Sequence, residues 1–260
     1  MNLTRKISLI RYDKGNIEET PDIVVREFPL TIHINKERIV TLLCSPKDFT
    51  YLSLGFLLSE GLIKEKSEIK AIEIDEKKGM AYIEVMGKEN TFQRISGKAK
   101  ISKGCSGGSL LYNVKDKLHD IPLDNNMKIS YKKVLSMMKE FSGKSELFQN
   151  TGGVHSAALS DGDNILIFHE DVGRHNALDK VIGDAFMKEI DFLDKILLLS
   201  GRISSEMLAK AAKRNISILV SRSAPMDLAL EMGKEINMTI IGFARGERFN
   251  LYSGKKRIIF

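Results

Sequence analysis

Cys105 stands in the run Lys103-Gly104-Cys105-Ser106-Gly107-Gly108-Ser109. This composition surrounds a sulfur with small residues and backbone N–H groups, unlike the apolar neighbours of a core cysteine. Glycines there allow positive φ angles and an anion-accepting nest. Lys100 and Lys103 are close in sequence. Together they favour thiolate over thiol, because a free cysteine pKa of about 8.5 falls to roughly 3.5–7.5 in electropositive sites. The loop reads as chemistry on sulfur, the alternative being a hairpin tip with an incidental thiol. Cys44 differs. It sits on an expected strand beside Leu42 and Leu43 and reads as a small buried hydrophobe.

A second set of chemistry-bearing residues lies in the C-terminal half. Three apolar runs end in Ser200-Gly201-Arg202, Ser221-Arg222-Ser223 and Ala244-Arg245-Gly246-Glu247-Arg248. In open α/β sheets, ligands bind in the crevice outside the carboxyl ends of the strands. Small residues there let an anion approach the backbone, arginines supply forked donors, and the following helices add positively polarised N-termini. A phosphate or pyrophosphate suits such a crevice best. Thr151-Gly152-Gly153-Val154-His155-Ser156 reads as a glycine-rich turn. The polar run His169-Glu170-Asp171-Val172-Gly173-Arg174-His175-Asn176, between an expected strand and helix, is hard to explain as packing. Asn176 or Asp171 could cap the next helix, while Arg174 and His175 could face the crevice. A metal reading is weak. Zinc-dependent nucleobase deaminases use His-x-Glu followed by Pro-Cys-x-x-Cys, but His155 is followed by Ser156 and Ala157, and no paired cysteines lie downstream. A His169/His175 pair with nearby acids lacks the spacing of a recognised site.

Elements must position these groups. Runs at 7–11, 23–27, 30–34 and 38–43 are rich in β-branched residues and predict strands in an antiparallel region. Ser45-Pro46-Lys47-Asp48 predicts a capped helix reaching about Glu60, with Gly61 as its stop. Runs at 69–75 and 80–86 flank a turn and predict a hairpin, and residues 121–126 predict a linker. Beyond it, helices are expected over 131–141 and 176–189 and a strand over 164–168. Strands at 195–199, 217–220 and 238–243 then alternate with helices at 204–213 and 226–233, which implies parallel pairing with right-handed crossovers. The expected fold is α/β in two domains: a smaller, mainly β domain over 1–122 carrying the cysteine loop, and an α/β domain over 123–260.

The bulk numbers fit. The 260 residues are 43% hydrophobic and 28% charged, ordinary for a globular protein. No apolar run approaches the roughly 20 residues that cross a bilayer. The first ten residues lack a signal-peptide pattern, and two cysteines do not make a disulfide framework, so a reducing cytoplasm is expected. A net charge of +6 suits a polyanionic partner. Absence of Trp and of aromatics interleaved with Arg or Lys argues against nucleic acid.

The strings GFLLSEGLI (55–63), TGGVHSAAL (151–159), EDVGRHNALDKVIG (170–183), SGRISSEM (200–207) and GFARGERFNLY (242–252) resemble the formate dehydrogenase accessory sulfurtransferase family, FdhD. The resemblance implies a cytoplasmic sulfurtransferase that accepts sulfur from a cysteine desulfurase as a persulfide. It passes that sulfur to the molybdenum bis-guanine-dinucleotide cofactor, as substrate, before insertion into formate dehydrogenase. It further implies a cytidine-deaminase-like α/β domain without zinc, a homodimer, Cys105 as the persulfide carrier, and a cofactor-binding segment at Phe243, Ala244, Arg245, Gly246, Glu247 and Arg248. Many members carry Cys-x-x-Cys in the loop, whereas this chain has Cys105-Ser106-Gly107-Gly108. A resolving cysteine is thus absent from the loop, although one persulfide suffices for transfer. Two other readings remain: a chaperone that binds the dinucleotide with Cys105 silent, and a deaminase-type nucleotide-modifying enzyme.

Overall fold

A computed structural model describes residues 1–86, 123 and 127–260, so the Cys105 loop and, Leu123 apart, the expected linker lie outside the described residues. The chain opens with an antiparallel ribbon of β1 (Thr4–Asp13) and β2 (Asn16–Val25), turning at Lys14 and Gly15, both at positive φ. A four-stranded sheet follows in the order β4 (Glu37–Cys44), β3 (Phe28–Ile34), β6 (Met80–Val85), β5 (Ile69–Asp75). This sheet is mixed, contrary to the antiparallel expectation: β3 pairs with β6 in parallel. The cause is α1 (Phe49–Glu60), which carries the chain across the sheet and returns the β5–β6 hairpin beside β3 rather than beside β4.

The α1 helix starts later than Ser45-Pro46 suggests, after Asp48 in a left-handed conformation. Ser45 is engaged elsewhere: its N–H donates to Asp171 at 3.0 Å, and its hydroxyl accepts from the Val172 N–H at 3.1 Å. Gly61 ends the helix at φ 72°, as expected. Apolar residues surround α1 on most sides, the signature of a helix buried on all faces.

The second half contains a short β7 (Ile129–Ser130), α2 (Tyr131–Gly143), α3 (Glu146–Thr151), β8 (His155–Ser160), β9 (Ile165–Asp171) and α4 (Arg174–Met187). It continues with β10 (Ile196–Leu199), α5 (Ser205–Ala212), β11 (Ile218–Ser221), α6 (Asp227–Glu235), β12 (Thr239–Arg245), β13 (Arg248–Ser253) and β14 (Ile258–Ile259). Six strands form one sheet in the order β13-β12-β11-β10-β8-β9. Strands β10, β11 and β12 are parallel, as the strand and helix alternation predicts, while β8, β9 and β13 join antiparallel.

Period-2 alternation sends each strand's side chains to both faces of this sheet. Leu197, Leu199, Leu219 and Ile240 pack under α4, α5 and α6, and that core continues to Leu30, Ile32, Leu52 and Leu57 of the four-stranded sheet and α1. Ile196, Leu198, Ile218 and Val220 face the other way, toward Val134, Met137, Met138 and Phe141 of α2. The two sequence halves therefore share a core. Glycines set the α1–α4 approach: a Cβ on Gly55 would lie 1.7 Å from the Asp179 carbonyl oxygen, and one on Gly183 would lie 2.0 Å from that of Tyr51. Among the described residues no helix is long and apolar enough to cross a membrane.

Candidate functional site

The topology decides which chain ends meet. Since β10, β11 and β12 are parallel and β8 runs opposite to β10, the carboxyl ends of the first three share a sheet edge with the start of β8. The end of β9, antiparallel to β8, arrives there too. At this edge lies a cavity of about 410 Å³, lined by Ser200, Arg222 and Arg245 from the parallel strands, by residues 152–156, by Val172, and by Phe141, Ser142, Ser145 and Phe148 from α2 and α3. One residue from each expected strand end, Ser200, Arg222 and Arg245, reaches the cavity.

The two arginines make no ion pair among the described residues, and Arg245 is exposed. Their charge is available to an anion. Ser200 ties the wall together: its hydroxyl accepts from the Ser156 N–H at 2.8 Å, and its N–H donates to the Ser156 carbonyl at 3.0 Å. The same hydroxyl lies 3.4 Å from Nδ1 of His155. Burial, then the charges of Arg174, Arg202 and His175, hold His155 below its ordinary value, so the ring is neutral at pH 7. Gly201 permits this crowding, since a Cβ there would lie 3.2 Å from His155 Nδ1 and 3.3 Å from Arg174 Cβ.

A second chain of contacts runs behind the wall. The Ser145 hydroxyl donates to the Glu170 carboxylate and lies 3.1 Å from the Ser156 hydroxyl. Ser145 occupies the N-cap position of α3 without making a side-chain cap; its hydroxyl faces Glu170 and Ser156 instead. The expected turn at 151–156 is instead the end of α3, closed by Gly152 at φ 64°, and the start of β8. Helix α3 and the residues Phe141, Ser145 and Phe148 were not expected in the site. The available signal was Ser145-Glu146 with Gly152, a helix start and stop separated by one short helix.

Several sequence candidates lie outside the cavity. His169 bridges Asp184 at 2.9 Å and Asp48 at 3.2 Å, while His175 lies 3.0 Å from Glu206. The two histidines are thus committed to different acids, and among the described residues no cluster could hold a metal ion. The hydrogen bond from His175, with further help from nearby cations, lowers the Glu206 carboxyl against the cost of burial. Asp171 and Asn176 do not cap α4, whose N-cap is Gly173. Instead the Asn176 amide bridges Asp171 at 2.9 Å and the Leu43 carbonyl at 2.8 Å. The N-termini of α5 and α6 do not line the cavity either. Ser204 already accepts from the Met207 N–H at the first. Arg202 is exposed and outside the lining. Cys44 is fully buried, donates toward the Phe28 carbonyl at 3.4 Å, and is pushed up to about 12 chiefly by burial. It is inert as a nucleophile.

Comparison with known proteins is decisive for ancestry. Residues 25–259 match the model of the FdhD/NarQ family. The chain belongs to that family. It is 42% identical over 257 residues to the sulfur carrier protein FdhD of Bacillus pumilus, covering 99% of this chain and 98% of that one. It is 42% identical over 248 residues to the Bacillus subtilis protein of the same name, covering 95% of each. The crystal structure of a protein assigned as a formate dehydrogenase accessory protein from Desulfotalea psychrophila superposes with a TM-score of 0.81 at 25% identity, covering 99% of this chain and all of that one.

In this FdhD/NarQ family member the segment 243–248 is split by its own backbone. Phe243 sits at φ 53° within a register shift between Gly242 and Arg245. Such a bulge re-aims the following side chains. Ala244 is fully buried in the second core, leaving only its backbone to meet a ligand, while Arg245, Gly246, Glu247 and Arg248 are exposed. Of the six, Arg245 alone lines the cavity.

Proposed function

We propose that this chain is a sulfur carrier that acts on a guanylylated molybdenum cofactor. In this reading Cys105 accepts sulfur: its thiolate attacks the terminal sulfur of a cysteine desulfurase persulfide, the donor cysteine leaves as thiolate, and Cys105 holds the persulfide. Passing the outer, zero-valent sulfur to the cofactor breaks the S–S bond and returns Cys105 as thiolate; the two electrons that turn that sulfur into a sulfide ligand would come from the reduced metal of the substrate or from a thiol reductant. The cofactor is substrate here, and its product serves formate dehydrogenase. The names of the Bacillus relatives support the carrier role, and that of the Desulfotalea protein supports the link to formate dehydrogenase.

The observation that carries the cofactor half is the cavity with two arginines, at the ends of parallel strands, that make no ion pair among the described residues. Its volume of about 410 Å³ falls low in the range of small-molecule sites, roughly 300–1,000 Å³. One nucleotide end of the cofactor fits that volume. Association as a homodimer and residence in the cytoplasm belong to the same reading.

The test is to incubate the chain with a cysteine desulfurase and cysteine and weigh the Cys105 peptide. A gain of one sulfur atom, lost in Cys105→Ser, supports the carrier. No gain, with nucleotide binding intact, leaves the dinucleotide chaperone as the function, with the missing second loop cysteine as its cause.

A further inference from the structure

The β1–β2 ribbon takes no part in the proposed function. Its base packs on the cavity wall, where β2 meets α3 and a Cβ on Gly153 would lie 2.6 Å from Val25 Cγ1. Toward the turn it stands in solvent. Ile10, Tyr12 and Ile17 are 75%, 72% and 74% exposed and share one face, since Tyr12 lies opposite Ile17 and Ile10 is two residues away. A two-stranded ribbon alone is marginal in water, and a further strand is one remedy.

The two outer edges of the ribbon differ. Lys14 and Gly15, at φ 49° and 92°, form a two-residue turn of the I′ kind, so Asp13 and Asn16 are a hydrogen-bonded pair, and bonded and non-bonded pairs alternate from there with no register shift. The outward N–H and C=O groups therefore belong to Lys6, Ser8, Ile10 and Tyr12 on β1, and to Ile17, Glu19, Pro21 and Ile23 on β2. The β2 edge is closed: Pro21 has no N–H, and the Ile23 N–H donates to the Asp22 carboxylate at 2.8 Å. Proline on an edge strand is a common guard against pairing. On β1 no proline intervenes, and the outward N–H groups meet no acceptor among the described residues.

Charge separates the edges as well. Strand β1 carries Arg5, Lys6 and Arg11 against Asp13, whereas β2 carries Glu18, Glu19 and Asp22. We propose that the β1 edge takes an extended acidic segment of a partner polypeptide as a third strand. Its backbone pairs with Ser8, Ile10 and Tyr12, alternate apolar side chains lie along Ile10 and Tyr12, and carboxylates on the other face meet Arg5 and Arg11. A second copy of this chain fits poorly, because its β1 would set like charge against like and its β2 edge is closed. The ribbon is rooted at the cavity wall, which keeps the docked partner beside that site.

The experiment titrates the full chain with a fluorescein-labelled peptide of Val-Glu repeats, and with a Val-Lys peptide of equal length, following anisotropy and amide hydrogen exchange. The Val-Glu peptide should bind at least about tenfold more tightly and should slow exchange at Ser8, Ile10 and Tyr12, leaving Leu9 and Arg11, already in the ladder, unchanged. Ile10→Pro removes one outward N–H and should weaken binding about tenfold. Arg5→Glu keeps the backbone intact and should weaken it about fivefold, which guards against a proline variant whose ribbon fails to form. No binding of either peptide, equal affinity for both, or an unchanged affinity in folded Arg5→Glu overturns the proposal. Protection of the same amides without peptide, rising with protein concentration, also overturns it and gives the edge to a second copy.

Discussion

Two polar regions of this molecule are built from similar residues to opposite ends. Around the α1–α4 contact, Lys180 and Asp171 meet at 2.7 Å with both side chains fully buried, and Lys210 meets Asp179 at 2.5 Å. Asp179 also accepts from Ser59 at 2.6 Å, and Asp171 from the Ser45 and Gly173 N–H groups. These charges are closed against partners inside the fold. At the strand ends, in contrast, Arg222 and Arg245 have no ionic partner among the described residues and open into a cavity. Charge that is answered internally holds one arrangement of chain. Charge left unanswered in a concave site awaits a ligand.

The boundary between the two regions is a single peptide bond. Adjacent strand residues point to opposite faces, so Glu170 joins the serines of the cavity wall while Asp171 joins Lys180.

Breaking the closed region should have the largest effect. Lys180→Met leaves Asp171 buried without its cation and should cost about 3–5 kcal/mol of stability, read by denaturant unfolding. Gly55→Ala drives a methyl into the Asp179 carbonyl and should cost about 1–3 kcal/mol in the same measurement. The open region should respond in the other currency. Arg222→Ala and Arg245→Ala should leave stability within about 0.5 kcal/mol while each weakens pyrophosphate binding by about tenfold, as loss of a charged hydrogen bond implies. A large stability loss in either arginine variant would show that its charge is answered within the fold and would erase the contrast.

The smallest effect concerns pH. Burial first, and then Arg174, Arg202 and His175, hold His155 below the ordinary 6.5, so the fold disfavours its protonation. As pH falls below about 6.5 the unfolded chain binds that proton first. The His155 contribution is therefore present above that value and is lost as pH falls toward the lower folded value. His155→Gln should flatten the stability profile in that window, and an unaltered profile would place the ring in open solvent.

Much of the fold was legible because local rules decided it. The alternation from Ile196 to Arg245 reads directly as parallel strands with crossover helices, and Gly61 marks a helix end where its φ of 72° allows one. The parallel pairing of β3 with β6 was not legible, since period-2 patterning does not reveal which edge a returning hairpin will join. Ser45 looked like a cap and became a bridge to another segment: its hydroxyl oxygen accepts from the Val172 N–H in place of a local helix N–H, and its own N–H donates to the buried Asp171 carboxylate.

The sequence by itself determined the family, the α/β class and the arginines at the strand ends, since all of these rest on residue type and short-range spacing. Only the tertiary structure decided that Ser200, Arg222 and Arg245 share a cavity with Phe148 and residues 152–156. It also decided that His169 and His175 serve separate acids and that Ala244 turns into the core. The physical reason is that strand order and direction set which chain ends meet, and those depend on packing between segments distant in sequence.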